Sequence, residues 1–178
     1  MALTREHYEK RVIPALQREF GYANVMAVPR VAKAVVNVGV GRMRDEKQLA
    51  LVQKSIALIT GQKAAPRTAK KAIAAFKTRR GLTVGYQVTL RGKRMWDFLS
   101  RIVDIAIPRQ RDFHGIDPKS LDRSGNLTIG FKEHIVFPEM IGEDVPFIFG
   151  FEVTVVTTAR TRAEGVSLLR VLGFPIKT

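Results

Sequence analysis

"LTVGYQVTLRGKRMWDFL", residues 82–99, sets two regularities back to back. In its first half apolar residues return at every second position. Leu82, Val84, Tyr86, Val88 and Leu90 share one side, and Thr83, Gly85, Gln87, Thr89 and Arg91 the other. Successive side chains of a strand point to opposite faces, so this is a strand with one apolar and one polar face. The period then changes. "KRMWDFLSRIVDIAI" spaces Trp96, Leu99, Ile102, Val103 and Ala106 along one side of a helix that should stop before Pro108. A half-apolar strand running straight into an amphipathic helix predicts two layers, with helices on one face of a sheet and its other face open.

The rest of the chain follows the same plan. Residues 31–40 alternate, with Val36, Val38 and Val40 on one side and Lys33, Val35, Asn37, Gly39 and Gly41 on the other. Residues 127–132 do likewise, and residues 147–157 read as a further strong strand. Helices are expected over residues 4–20, where Tyr8, Val12, Leu16 and Phe20 align and Pro14 should kink the run, and after Asp45, with Leu49, Val52, Ile56 and Ile59 inward and Gly61 as the stop. A last helix opens on the capping box of Thr161 and Glu164. Between residues 72 and 92 two β-like runs flank Arg80-Gly81, which predicts a hairpin whose tip, "FKTRRG" (76–81), protrudes from the sheet. The expected fold is therefore α+β, with a mostly antiparallel sheet and a basic hairpin, all within one domain spanning residues 1–178.

Charge narrows the function. Thirty Lys and Arg against sixteen Asp and Glu give +14 over 178 residues, too large an excess for a solubility device and typical of a polyanion's partner. The excess is local. Residues 1–100 hold 20 cations and 6 anions, whereas residues 101–178 hold 10 of each. Between Glu46 and Asp97 stand twelve Lys or Arg and no acid, while residues 133–159 carry five acids and no Lys or Arg. Two opposed fields suggest two partners. Cysteine is absent, which excludes disulfides, thiolate metal sites and thiol nucleophiles. The amino terminus, "MALTREHYEKRVIPALQREF", has no unbroken apolar core and reads as neither secretory signal nor membrane span.

No enzyme emerges from the residues. His7, His114 and His134 have neither metal-ligand spacing nor a nucleophile nearby and read as surface or hydrogen-bonded side chains. "GVGRM" lacks the third glycine of a dinucleotide loop, and "GQKAAPRT" is no P-loop. No cofactor, metal or small-molecule substrate is expected. The polar sheet face is the better candidate. Asn37, Gln87 and Thr89 can bond riboses and base edges, Gly39 and Gly41 remove bulk, and Arg91, Lys93 and Arg94 can neutralise phosphates at the rim. Double-stranded DNA fits less well, since no helix has a basic base-reading face, and clustered aromatics for strand stacking are lacking. The hairpin tip can reach a second phosphate surface, with Phe76 expected to pack as its base anchor; the plain alternative is a solvated charged turn. An enzyme on nucleotides or RNA and a free RNA chaperone stay open beside the structural RNA-binding reading.

"VPRVAKAVVNVGVG", "GQKAAPRTAKKAIAAFKTRRG", "VTLRGKRMWDFL", "PRQRDFHGI", "FPE", "VTVVTTA" and "LLRVLGFP" follow one another in an order and at intervals that closely resemble the fifth family of large-subunit ribosomal proteins, of bacterial type. The resemblance covers nearly the whole chain. It implies a structural role in the cytoplasmic ribosome, binding 5S rRNA and attaching it to the subunit in the central protuberance, beside 23S rRNA and neighbouring large-subunit proteins. Carried onto the matching blocks, it implies Asn37, Gln62 and Thr89 as polar 5S rRNA contacts, with Gly39, Gly41, Arg67, Lys70, Arg91 and Arg94 as companions. It implies that Phe76, Lys77, Thr78, Arg79, Arg80 and Gly81 reach the tRNA in the peptidyl site. It further implies a bridge to a basic small-subunit head protein through Arg111, Asp112, Glu133, Glu139, Glu143 and Asp144, where a solvated acidic connection is the plain alternative. Two places depart from the family pattern: "SLDRSGN" lacks its Phe and second Gly, and Arg160 and Arg162 flank a helix start that is usually acidic.

Overall fold

The computed structural model describes residues 3–43, 45–111, 113–142 and 146–177. Five strands, β1 (Val31–Gly39), β2 (Ala65–Thr68), β3 (Thr83–Leu90), β4 (Leu127–Phe131) and β5 (Phe151–Thr157), form one antiparallel sheet in the order β2-β3-β1-β5-β4. Four helices accompany it: α1 (5–20), α2 (Glu46–Thr60), α3 (92–109) and α4 (Arg162–Val171). This is the expected α+β fold. β1, β3, β4 and β5 bury chiefly one side, whereas β2 is exposed along its whole length. Val36, Val38, Tyr86, Val88, Leu127, Ile129, Phe151, Val153 and Val155 are buried, while Asn37, Gly39, Thr128, Gly130 and Glu152 are exposed between them. Burying each such apolar side chain stabilises the fold by about 1.5–3 kcal/mol, which fixes the register of the strands.

The chain forms two compact units, each discontinuous in sequence. One gathers the residues up to Ala34, Leu90–Ile129 and the stretch from Val153 on; the other holds Val35–Thr89 and Gly130–Glu152. In the first, α1 packs on α4, and Tyr8 of α1 donates its hydroxyl to the Pro29 carbonyl at 3.0 Å. In the second, α2 packs against the short turn Pro138–Met140.

Both proline-bearing helices accommodate their proline in the same way. α1 does not break at Pro14, and α3 does not stop before Pro108 but runs on to Arg109. In each, one turn widens ahead of the proline: the Ile13 N–H donates to the Tyr8 carbonyl and the Ile107 N–H to the Ile102 carbonyl, five residues back. The wider turn makes room where a proline ring would strike the carbonyl four residues earlier, so the helix continues. α2 starts and stops as predicted, with Asp45 accepting from the Lys47 N–H at 3.0 Å and Gly61 in the left-handed conformation.

Two strand boundaries also move. β5 begins at Phe151, not at residue 147, because residues 147–150 leave the ladder and fold against His134. The residues expected to form the hairpin's first strand do not pair as one. Its place is taken by β2, whose Pro66 lies opposite Tyr86 and Arg67 opposite Gly85. Residues 69–82 then form an arm that is a loop within a loop. Its neck is closed by the Ala69 N–H donating to Leu82 O at 2.8 Å and the Gly81 N–H donating to Ala69 O at 3.0 Å. Further out, Ile73 and Thr78 exchange two backbone bonds of 3.2 Å around the turn Ala74–Phe76. Arg80-Gly81 does form a turn, with the Leu82 N–H donating to Arg79 O at 3.1 Å, but a second turn, closed by the Lys77 N–H on Ala74 O at 2.9 Å, precedes it within the arm.

Candidate nucleic-acid interface

The part of the sheet made by β2, β3 and β1 carries most of the predicted site. Asn37 and Gly39 stand exposed on β1, and Gln87 and Thr89 are half-buried on β3. Arg67 of β2 donates from Nε to Gln87 Oε1 at 2.7 Å, and its Nη2 reaches the same oxygen. A guanidinium has five N–H donors, so one amide oxygen leaves most of them for another acceptor. Gln62, just past the Gly61 cap of α2, donates from Nε2 to the Thr89 carbonyl at 3.5 Å and from its backbone to Thr60 Oγ1 at 3.3 Å. Gln62 is thereby tied to β3, and the Thr89 hydroxyl is left to the open side. Gly39, Gly41 and Lys70 come together in a groove of about 1010 Å³ that also takes in part of the arm.

Arg91 and Arg94 belong to the first turn of α3, where Arg91 is the cap residue and makes no side-chain capping bond. Both are exposed. The amides at a helix start carry partial positive charge, so cations there lose about 0.3–1 kcal/mol each unless an anion binds beside them. Arg91, Lys93 and Arg94 together make that start a poor choice for stability and a good one for phosphate.

On the arm, Lys77, Arg79, Arg80 and Gly81 are exposed and Thr78 half-buried. Lys77 adopts φ 50°, the one non-glycine residue described with a positive φ. Phe76 corrects an expectation: it does not anchor the arm, since 73% of it is exposed. It closes the turn Ala74–Phe76 and belongs to no strand.

The acidic side is only partly in view. Glu133 and Glu139 are half-buried, Arg111 is exposed, and Asp112, Glu143 and Asp144 lie outside the described residues. Ile135 and Ile141 are exposed in the same stretch. Among the described residues no group of three His, Asp or Glu side chains could hold a metal ion. His134 is buried and stacked on Phe149, and burial pushes its imidazole below the ordinary histidine range. No described helix is long and apolar enough to cross a membrane.

Residues 24–79 match the family "Ribosomal protein L5", and residues 83–176 match the C-terminal part of the same ribosomal family. The two matches take in β1, β2, the arm up to Arg79, β3 and everything to the end of α4.

The chain belongs to the ribosomal L5 family.

Its similarity to curated L5 proteins is spread over the full length. It is 47% identical to the "Large ribosomal subunit protein uL5" of Halothermothrix orenii over 176 residues, 98% of both chains. It is 46% identical to that of Dictyoglomus turgidum over 178 residues, 99% of each, and 48% identical to that of Streptococcus thermophilus over 172 residues, 96% of each. As an L5 protein it is a structural constituent of the large ribosomal subunit and not an enzyme, and its partners are rRNA and other components of that subunit. Three residues of the L5 groove, Arg42, Lys71 and Ile148, escaped the sequence reading. Ile148 had a signal: in "PFIFGF" the phenylalanines alternate inward, which leaves an isoleucine on the side that should be polar.

Proposed function

We propose that this L5 protein binds 5S rRNA through the open β2–β3–β1 face and so attaches it to the large subunit in the central protuberance. In this reading Asn37, Gln62 and Thr89 bond riboses and base edges, and Arg67, Lys70, Arg91 and Arg94 take phosphates. One observation carries it: a sheet face with Asn37 exposed on β1 and Arg67 of β2 already turned onto Gln87 of β3, the latter two strands lying in a sequence window that has no carboxylate from Lys47 to Trp96. The arm, with Lys77, Arg79 and Arg80 exposed beyond its bonded neck, suits contact with the tRNA in the peptidyl site. The acid-rich stretch around Glu133 and Glu139, and Arg111, suits a bridge to a basic small-subunit head protein.

The test is a titration of 5S rRNA with the full-length protein. Asn37→Ala and Arg67→Ala should each weaken binding by about tenfold, the loss of one good polar contact. Equal affinity for an unrelated structured RNA of the same length would overturn the reading and favour a general RNA chaperone.

A further inference from the structure

Ile148 is 57% exposed, yet the backbone that follows it is held in place. Phe149 stacks on His134, ring centroids 4.2 Å apart and planes 7° from parallel. The His134 N–H donates to the Phe149 carbonyl at 3.1 Å, and the Phe149 N–H donates back to His134 Nδ1 at 3.4 Å. Next along, Gly150 runs so close to the end of β4 that a Cβ there would stand 2.8 Å from the Phe131 carbonyl oxygen. Buried neighbours therefore hold Ile148 in position, while its own side chain adds little to the core.

That side chain lines the groove of about 1010 Å³, together with Ile73 and Phe76 of the arm, 46% and 73% exposed. Gly39 contributes to the same surface. A Cβ built there meets nothing within 4 Å, so the protein's own packing does not demand glycine at this position. What glycine removes is bulk from the groove. Arg42, Lys70 and Lys71 complete it, all exposed, and among the described residues no carboxylate lines it.

An apolar slot with cations and no acids suits a flat apolar body joined to phosphates. Nucleobases stack on aromatic faces and phosphates take Lys and Arg. A duplex keeps its base faces covered, and an apolar peptide would leave three cations without a counterpart. The volume lies at the top of the ~300–1,000 Å³ range of small-ligand sites, so a nucleotide fits with part of its neighbours. We infer that the groove accepts an unstacked nucleobase of an RNA loop or single strand against Ile148 and Phe76, with its flanking phosphates on Arg42, Lys70 and Lys71. This rests on the RNA-binding reading above and adds to it a base-accepting site that the sheet contacts do not require.

The full-length protein is titrated into a short oligouridylate carrying one central aminopurine, read by its fluorescence, and into the same strand with an abasic residue there. Binding should quench the aminopurine. Ile148→Ser, a change at an exposed position that leaves the core intact, should abolish the quenching and weaken binding about tenfold, ~1.4 kcal/mol. The abasic strand should bind the unaltered protein with the same loss and be indifferent to Ile148→Ser. Equal affinity for the two strands, or quenching that survives Ile148→Ser, overturns the inference. Asn37→Ala measured with 5S rRNA separates the two readings. If only the groove reading is wrong, that variant still weakens 5S binding while the aminopurine stays bright; if the 5S reading is wrong, it changes nothing whatever the oligonucleotide does.

Discussion

The Phe149 N–H donates to Nδ1 of His134, so that nitrogen carries no proton and the buried ring is neutral. Burial lowers its proton affinity, and the charge of Glu133 pulls the other way without reversing the shift. The unfolded chain, with an ordinary histidine near 6.5, then binds a proton that the folded chain refuses. Stability is full above that value and falls as pH drops from there towards the lower folded value. The urea midpoint should therefore decrease between neutral pH and mildly acidic pH, and His134→Gln, which keeps an acceptor but cannot titrate, should show a smaller decrease. An identical decrease in both proteins would remove His134 from the account. Its burial was not legible in the sequence, because residues 133–146 follow neither helical nor strand periodicity and the His134 ring is held by the Phe149 stack. The exposure of Phe76 escaped for a similar reason, a short turn where an alternating strand was expected.

Elements whose ends are marked by local chemistry were legible: α2 between Asp45 and Gly61, and α4 from Thr161, whose hydroxyl accepts from the Glu164 N–H. Wherever a tertiary contact decided, the sequence was silent. α4 starts against the loop before β4, and there Gly165 meets Gly125 backbone to backbone. A Cβ at Gly165 would lie 2.4 Å from Gly125 Cα and 2.6 Å from its carbonyl oxygen. Gly165→Ala should destabilise the protein by ~2–3 kcal/mol and lower the melting temperature by several degrees, measured calorimetrically. Arg162 has a use at the same junction: its Nε and Nη2 donate to the Leu121 carbonyl at 3.0 and 2.5 Å. The arm allows charge and shape to be separated. Lys77 holds a left-handed φ that glycine adopts freely, so Lys77→Gly removes a cation without disturbing the turn. Combined with Arg79→Ala and Arg80→Ala it should leave 5S rRNA affinity nearly unchanged and weaken tRNA retention in the peptidyl site of assembled ribosomes, scored by filter binding. A large loss of 5S affinity would assign the arm to the other RNA.

At the scale of the molecule, the +14 charge is a map more than a sum. The acid-free window from Lys47 to Trp96 runs through α2, β2, the arm and β3, so the field is concentrated where the open face and the groove are. If ~5 phosphates are neutralised, the logarithm of 5S affinity should fall against the logarithm of salt with a slope of roughly −3 to −4, measured by titration at several salt concentrations. A slope near zero would mean that uncharged contacts dominate. The alternation of β1, β3 and β4 made the two-layer fold and its open side readable at once, since one residue in two is a strong signal. The groove was not readable, because it joins a loop at residues 69–82 to a strap near residue 148, and no periodicity links segments so far apart.

The division of the chain between its two units also orders events in time. α1 leaves the exit tunnel far ahead of α4, on which it packs and whose Ser167 hydroxyl donates to Glu19. Throughout translation the first helix waits for a partner not yet synthesised. A nascent chain halted after Glu152 should leave α1 open to protease, and release of the finished chain should protect it.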